Sequence, residues 1–130
     1  MKKKIKGSSA ERDLLNLFWK NNWVGIRVAG SGSSRHPAPD LIVSNGYRRF
    51  VIEVKYVNDT KKYFTKKEIN ELKFFSENFG GEPWVAIKFQ GLTWFFLSID
   101  SLKNTGKSFY ADIVTAKNFG FIFKEFINLV

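Results

Sequence analysis

Pro39-Asp40-Leu41-Ile42-Val43-Ser44-Asn45-Gly46-Tyr47-Arg48-Arg49-Phe50-Val51-Ile52-Glu53-Val54-Lys55 is the stretch on which the fold turns. Two runs of strand formers flank Asn45-Gly46, the strongest short-range hairpin signal, so an antiparallel pair is expected with Asp40 at its open end. Alternation with period two puts Glu53 and Lys55 on one face and Ile52 and Val54 on the other. A two-residue Asn45-Gly46 turn pairs Ser44 with Tyr47, Leu41 with Phe50 and Asp40 with Val51. Glu53 then lies about two residues beyond Asp40, roughly 7 Å along the strand, and the hairpin has to twist or bulge near Asp40 to bring the two carboxylates together.

Two carboxylates and an ammonium at one end of a sheet are what metal-assisted phosphodiester hydrolysis requires. Asp40 and Glu53 are the expected oxygen ligands of Mg²⁺, helped by Glu11 and by the carbonyl of Val54. Lys55 is expected to orient the attacking water or to stabilise charge on phosphorus, while Arg12 and Arg27 match phosphate oxygens with guanidinium forks. The chain has no Cys and a single His, His36, which excludes disulfides, thiolate metal sites and His-rich zinc sites. Its 21 basic and 12 acidic residues leave a formal charge of +9, pointing to a polyanionic partner, with nucleic acid ahead of an anionic membrane surface. Met1-Lys2-Lys3-Lys4 is followed by Ile5-Lys6-Gly7-Ser8-Ser9 instead of an apolar run, so a cytoplasmic protein with no membrane segment is expected.

The 130 residues fit a single domain over 1–130. Ser8 and Glu11 read as a capping box opening a helix from Ser9 to Asn22, with Glu11 in its first turn and leaning toward the protein. Trp23 to Ala29 reads as a strand carrying Arg27 outward. Gly30 to Pro39 reads as a flexible loop tipped by Arg35, able to contact DNA. Thr65 and Glu68 form a second capping box, from which Ile69, Leu72, Phe75 and Phe79 continue to Gly80-Gly81; Phe74, off that stripe, is packed under a loop or part of an interface. Trp84 to Phe89 and Thr93 to Ile99 read as a hairpin around Gln90-Gly91. Phe119, Ile122, Phe123, Phe126, Ile127 and Val130 supply a third helical stripe. Neither Asn58 to Phe64 nor Asp100 to Ala116 carries a distinctive pattern. Strands interrupted by helices make this an α/β chain.

Ser9-Ala10-Glu11-Arg12-Asp13-Leu14, Arg27-Val28-Ala29-Gly30-Ser31, Pro39-Asp40-Leu41-Ile42-Val43 and Ile52-Glu53-Val54-Lys55, in that order, resemble the archaeal Holliday junction resolvases Hjc and Hje. The resemblance continues through Phe75-Ser76-Glu77-Asn78-Phe79-Gly80-Gly81 and Ala86-Ile87-Lys88-Phe89 and covers about the first hundred residues. It implies a PD-(D/E)xK nuclease, restriction-endonuclease-like, with a central mixed sheet of about five strands flanked by helices. It further implies Glu11, Asp40 and Glu53 as metal ligands, Lys55 as the catalytic lysine, Ser31 as a functional serine, and Arg12 and Arg27 on the DNA backbone. Mg²⁺, with Mn²⁺ as substitute, is the implied cofactor. A homodimer acting on four-way junction DNA is the implied assembly, with Phe74, Phe75 and Phe79 at its contact. A different PD-(D/E)xK DNA nuclease and a non-catalytic basic DNA-binding module are the alternatives.

Overall fold

The computed structural model describes residues 2–129, with side chains from residue 7 onward. A first helix, α1 (Lys2–Lys20), leads into β1 (Val24–Arg27), β2 (Leu41–Ser44) and β3 (Arg49–Val57). β4 (Lys61–Thr65) and α2 (Lys66–Phe79) then cross over to β5 (Glu82–Phe89), which pairs parallel with β3. β6 (Trp94–Ser98), β7 (Lys103–Asn104), β8 (Ser108–Asp112), α3 (Ile113–Phe119) and α4 (Phe123–Phe126) complete the chain. The central sheet is mixed and five-stranded, in the order β1-β2-β3-β5-β6, and a smaller sheet has the order β4-β8-β7. The mixed sheet flanked by helices is as expected.

The hairpin is where sequence and structure part. Its register pairs Ser44 with Arg49 and Leu41 with Ile52, two residues displaced from the tight-turn expectation. Asn45 through Arg48 form the loop: the Asn45 side-chain oxygen accepts from the backbone N–H groups of Tyr47 and Arg48, at 2.9 and 2.8 Å. Arg48 is held in that loop by a two-pronged pair with Glu82 at the start of β5. Lengthening the turn slides Glu53 level with Asp40. The chain bends at Asp40, but pairing from Leu41 to Ser44 is one-to-one, and the gap that called for a bulge is gone.

Each face of the sheet has its own core. On one, Ala10, Leu14 and Phe18 of α1 meet Leu41, Phe50, Ile52 and Phe96, with Phe126 of α4 stacked on Phe96 at 4.2 Å. On the other, Ile69 and Leu72 of α2 meet Val51, Val85 and Ile87, joined by Phe64 and Ala111 from the small sheet. α2 begins with half of the expected capping box, the Thr65 hydroxyl accepting from the Glu68 N–H at 3.0 Å while the Glu68 side chain turns to Lys55, and it stops at Gly80, whose φ of 88° is open to glycine at little cost.

Two further expectations give way. The first helix runs through Ser8 and Glu11, because both side chains are engaged across the fold by Arg27 and neither serves as a cap. The aromatic tail is not one helix: α3 ends at Phe119, Phe121 bridges to Phe96 in β6, and only Phe123–Phe126 is helical again. Val130 lies outside the described residues. The small sheet, from segments with no distinctive pattern, is an addition.

β1 and β2 approach so closely that a Cβ on Gly25 would sit 2.5 Å from Val43 Cγ1 and 2.6 Å from the Ile42 carbonyl oxygen. Gly25→Ala is therefore expected to lower unfolding stability by roughly 1–3 kcal/mol through overpacking, read as a lower urea midpoint with unchanged slope.

Candidate active site

With the register set, Asp40 faces Glu53 across the strand pair, and Lys55 stands two residues further along β3 on the same face as Glu53, its Nζ 3.4 Å from Glu53 Oε2. Asp40 is 7% exposed and held at both oxygens: Ser31 Oγ donates to Oδ1 at 2.6 Å, and the Val54 N–H donates to Oδ2 at 2.8 Å. Its backbone continues the ladder on both sides, accepting from Val28 N and donating to Ile52 O. Ser31 begins a short 3₁₀ turn, Ser31–Ser33, closed by Ser33 onto the Gly30 carbonyl. The loop expected to be flexible is thus tied to Asp40 near its start by a polar contact.

These groups open onto a cleft of about 750 Å³ between the sheet end, the 30–39 loop and the first turns of α2. Glu11, Ser31, Asp40, Glu53 and Lys55 all line it, with Arg35 and His36 from the loop. Glu68 of α2 also lines it, its Oε2 3.9 Å from Lys55 Nζ, so the ammonium lies between two carboxylates. Glu68 is the site residue that sequence reading missed. Its capping position accounted for it, and only the crossover from β4 to α2 brings it against β3.

Burial, and after it the charge of Asp40, pushes the Glu53 carboxyl up to about 7, against the pull of Lys55. Glu11 is also raised, by burial first and Asp40 second, although Arg27 opposes both. Carboxylates pressed together in a half-dry cleft are what a hard divalent cation relieves, and each Asp40 oxygen keeps a lone pair beyond its one hydrogen bond. The donor set of Asp40 and Glu53 therefore fits such an ion. Among the described residues no three acidic, histidine or cysteine side chains converge into a finished cation site. Glu11 shares the cleft, but its Oε1 accepts from Arg27 Nε at 2.9 Å.

That pair corrects the reading of Arg27 as outward-facing. Its side chain is 18% exposed, turned onto α1 by Glu11 and by Ser8 Oγ at 3.3 Å. Arg12 is exposed on α1 and Arg35 on the loop, both outside any ion pair among the described residues. On α2, Phe75 is partly buried and lines the cleft, while Phe79, on the helical stripe and at the implied dimer contact, is 46% exposed and stacks on Phe75 at 5.6 Å. Phe74 is 62% exposed, so it is not packed under a loop.

An acidic pair and a lysine at one end of a mixed sheet, inside a cleft of a strongly basic α/β chain, define a PD-(D/E)xK-type nuclease fold. The chain matches the family described as archaeal Holliday junction resolvase (hjc) over residues 2–130. It is 40% identical over 109 residues to the crossover junction endodeoxyribonuclease Hjc of Archaeoglobus fulgidus, covering 84% of this chain and 80% of that protein. To the enzyme of the same name from Sulfolobus acidocaldarius it is 34% identical over 134 residues, covering 100% of this chain and 92% of that one. The solved structure of the Archaeoglobus fulgidus Hjc, a Holliday junction resolvase from an archaeal hyperthermophile, superposes with a TM-score of 0.85 at 37% identity, over 90% of this chain and 94% of that one. This chain belongs to the archaeal Holliday junction resolvase family, and the likeness extends through the tail beyond Ile99, which sequence reading could not match.

Because the folded-state carboxyl of Glu53 titrates near 7 instead of 4.5, the folded protein holds more protons than the unfolded chain between those values. The stability this group contributes is whole below about pH 4.5 and is lost as pH rises through about 7. In chelator, melting temperature is expected to fall from pH 5 to pH 8, and Glu53→Gln to flatten the fall. A divalent cation is expected to raise the melting temperature of the unsubstituted protein more at pH 8 than at pH 5.

Proposed function

We propose that this protein is a structure-selective endonuclease that resolves four-way DNA junctions by paired, Mg²⁺-dependent phosphodiester hydrolysis, working as a homodimer. The observation that carries the reading is the juxtaposition of Asp40, Glu53 and Lys55 in one cleft, in a chain of the resolvase family. Asp40 and Glu53 would hold the metal, with Glu11 beside them. When bound, a hard divalent cation supplies Lewis acidity toward a phosphoryl oxygen and offsets the mutual repulsion of the carboxylates.

The protein's own groups set up the rest. Ser31 and the Val54 N–H hold both Asp40 oxygens, so this carboxylate is preorganised and needs no reorientation when substrate arrives. Lys55, between Glu53 and Glu68, presents a positive charge where negative charge builds on phosphorus. Glu68 keeps that ammonium from collapsing wholly onto Glu53. Arg12 and Arg35, exposed and without carboxylate partners among the described residues, are placed to meet phosphates. Arg27 reaches DNA only by loosening its hold on Glu11, and its first role in this reading is to orient that carboxylate. Phe74 and Phe79 leave an apolar strip on α2 beside the cleft, suited to a second copy of the chain. No helix among the described residues is long and apolar enough to cross a membrane.

A gel assay of a labelled four-way junction against linear duplex, with and without Mg²⁺, tests the reading. Paired nicks in the junction alone, requiring the metal, are expected; equal cutting of duplex would overturn it. Asp40→Asn, Glu53→Gln and Lys55→Ala should each slow cleavage by roughly 10²-fold or more. Junction binding in chelator should persist in the Asp40 and Glu53 variants, because both changes remove negative charge facing phosphate. Arg35→Gln should weaken junction binding without shifting the melting temperature. Phe74→Ser with Phe79→Ser should shift sedimentation from dimer toward monomer and abolish paired cutting.

A further inference from the structure

The small sheet has an inner and an outer face. Phe64 and Ala111 point into the core, and the Phe64–Phe109 and Lys62–Ala111 pairs share that side. Alternation places Lys61, Tyr63 and Thr65 of β4 on the outer side, with their partners Asp112, Tyr110 and Ser108 of β8. Lys103 of β7 pairs with Tyr110 at the edge of the row, its Nζ 5.4 Å from the exposed ring of Phe119. Tyr63 is 56% exposed, a large ring left in water on a sheet whose other face is buried. Lys61 Nζ sits 4.4 Å from the Tyr110 ring centre and 5.6 Å from that of Tyr63. Asp112 is the only carboxylate in these strands, and it is committed as the cap of α3, accepting from Thr115 N at 2.7 Å.

This strip is continuous with the cleft. Thr65, the last residue of β4, lines it, and Lys61 lies roughly 13 Å up the same strand. Along the axis of a duplex each strand carries a phosphate about every 3.4 Å, so a strip of this length faces about four base pairs.

We infer that the outer face of the β4-β8-β7 sheet is a second DNA-contact surface, where Lys61, Lys103 and the Tyr63 and Tyr110 hydroxyls track the phosphates of one duplex arm as it leaves the cleft. The occupant is a duplex backbone, not unpaired bases. Lys61 already covers the Tyr110 ring, and the two rings are tilted by 55°, so neither offers a flat stacking platform. Ammonium groups and phenolic hydroxyls are suited to phosphate oxygens. The basic edge argues against a second copy of this basic chain as occupant. The inference deepens the proposed function and rests on it for the identity of the duplex arm.

The test is binding of a four-way junction in chelator at several salt concentrations, comparing the unsubstituted protein with Lys61→Gln/Lys103→Gln and with Tyr63→Phe. The double variant is expected to bind roughly tenfold more weakly at 0.1 M salt, with the slope of log affinity against log salt shallower by roughly 1 to 2. Tyr63→Phe, which removes one hydroxyl, should weaken binding modestly with the slope unchanged. On a junction whose arms are trimmed to end at the cleft, the difference between the unsubstituted protein and the double variant should vanish. An unchanged slope, or a difference that survives trimming, overturns the inference. So does a change in sedimentation of Tyr63→Ala, which would make the face an interface between copies. Because binding is read apart from cleavage, a protein that binds by this surface but cuts no junction would refute the nuclease reading and leave the contact surface standing.

Discussion

Asp40 is held by two hydrogen bonds, one from Ser31 and one from the Val54 backbone, and the rest of the site hangs on that clamp. A carboxylate this deeply buried is costly unless both oxygens are satisfied, so the donors have to be in place wherever the chain folds. Satisfying it ties the 30–39 loop to the sheet end and ties the start of β2 to the middle of β3. Glu53 follows, because the register that lets Val54 reach Asp40 also sets Glu53 level with it.

The consequence is a concentrated negative charge that the fold only partly offsets. Lys55, between Glu53 and Glu68, and Arg27, on Glu11, are the cations paired with it. Burial first, and the charge of Asp40 second, push the Glu53 carboxyl up to about 7. A site that costs stability when it ionises is one whose stability is recovered by something positive, and a preorganised cluster of this kind suits chemistry on a phosphate ester. The surrounding core carries the cost: aromatic packing of Phe18, Phe50, Phe96 and Phe126 on one face and aliphatic packing beneath α2 on the other keep the strand ends rigid.

Much of this was legible beforehand. Thr65 and Gly80 mark the ends of α2 with local signals that tertiary contacts did not overrule. The alternation in Ile52-Glu53-Val54-Lys55 put the right side chains on the right face. Ser8 and Glu11 carried an equally good local signal that failed, since a hydrogen-bonding side chain can cap its own helix or serve a distant strand, and Arg27 draws both away. β4 and β8 were invisible as strands because each turns a single strongly apolar side chain inward at most positions, leaving a mixed pattern of lysine, tyrosine and serine. The alternation of Phe109 with Ala111, followed by Asp112 at a helix start, was the signal that could have found β8.

The sequence by itself determined the chemistry on offer: oxygen donors without thiols, a lysine two residues from a glutamate, and an excess of positive charge. It also determined the α/β alternation, since hydrophobic period and caps are local properties of the chain. Only the tertiary structure decided how those groups meet. Arg48 takes Glu82 as its partner from a strand beyond the crossover, holding the four-residue loop in the register that sets Glu53 opposite Asp40 without a bulge. Glu68 joins Lys55 only because α2 packs across β3. Both depend on contacts between residues far apart in the chain, whose free energy exists only once the sheet has closed, and no local pattern can encode which of several registers that closure will choose.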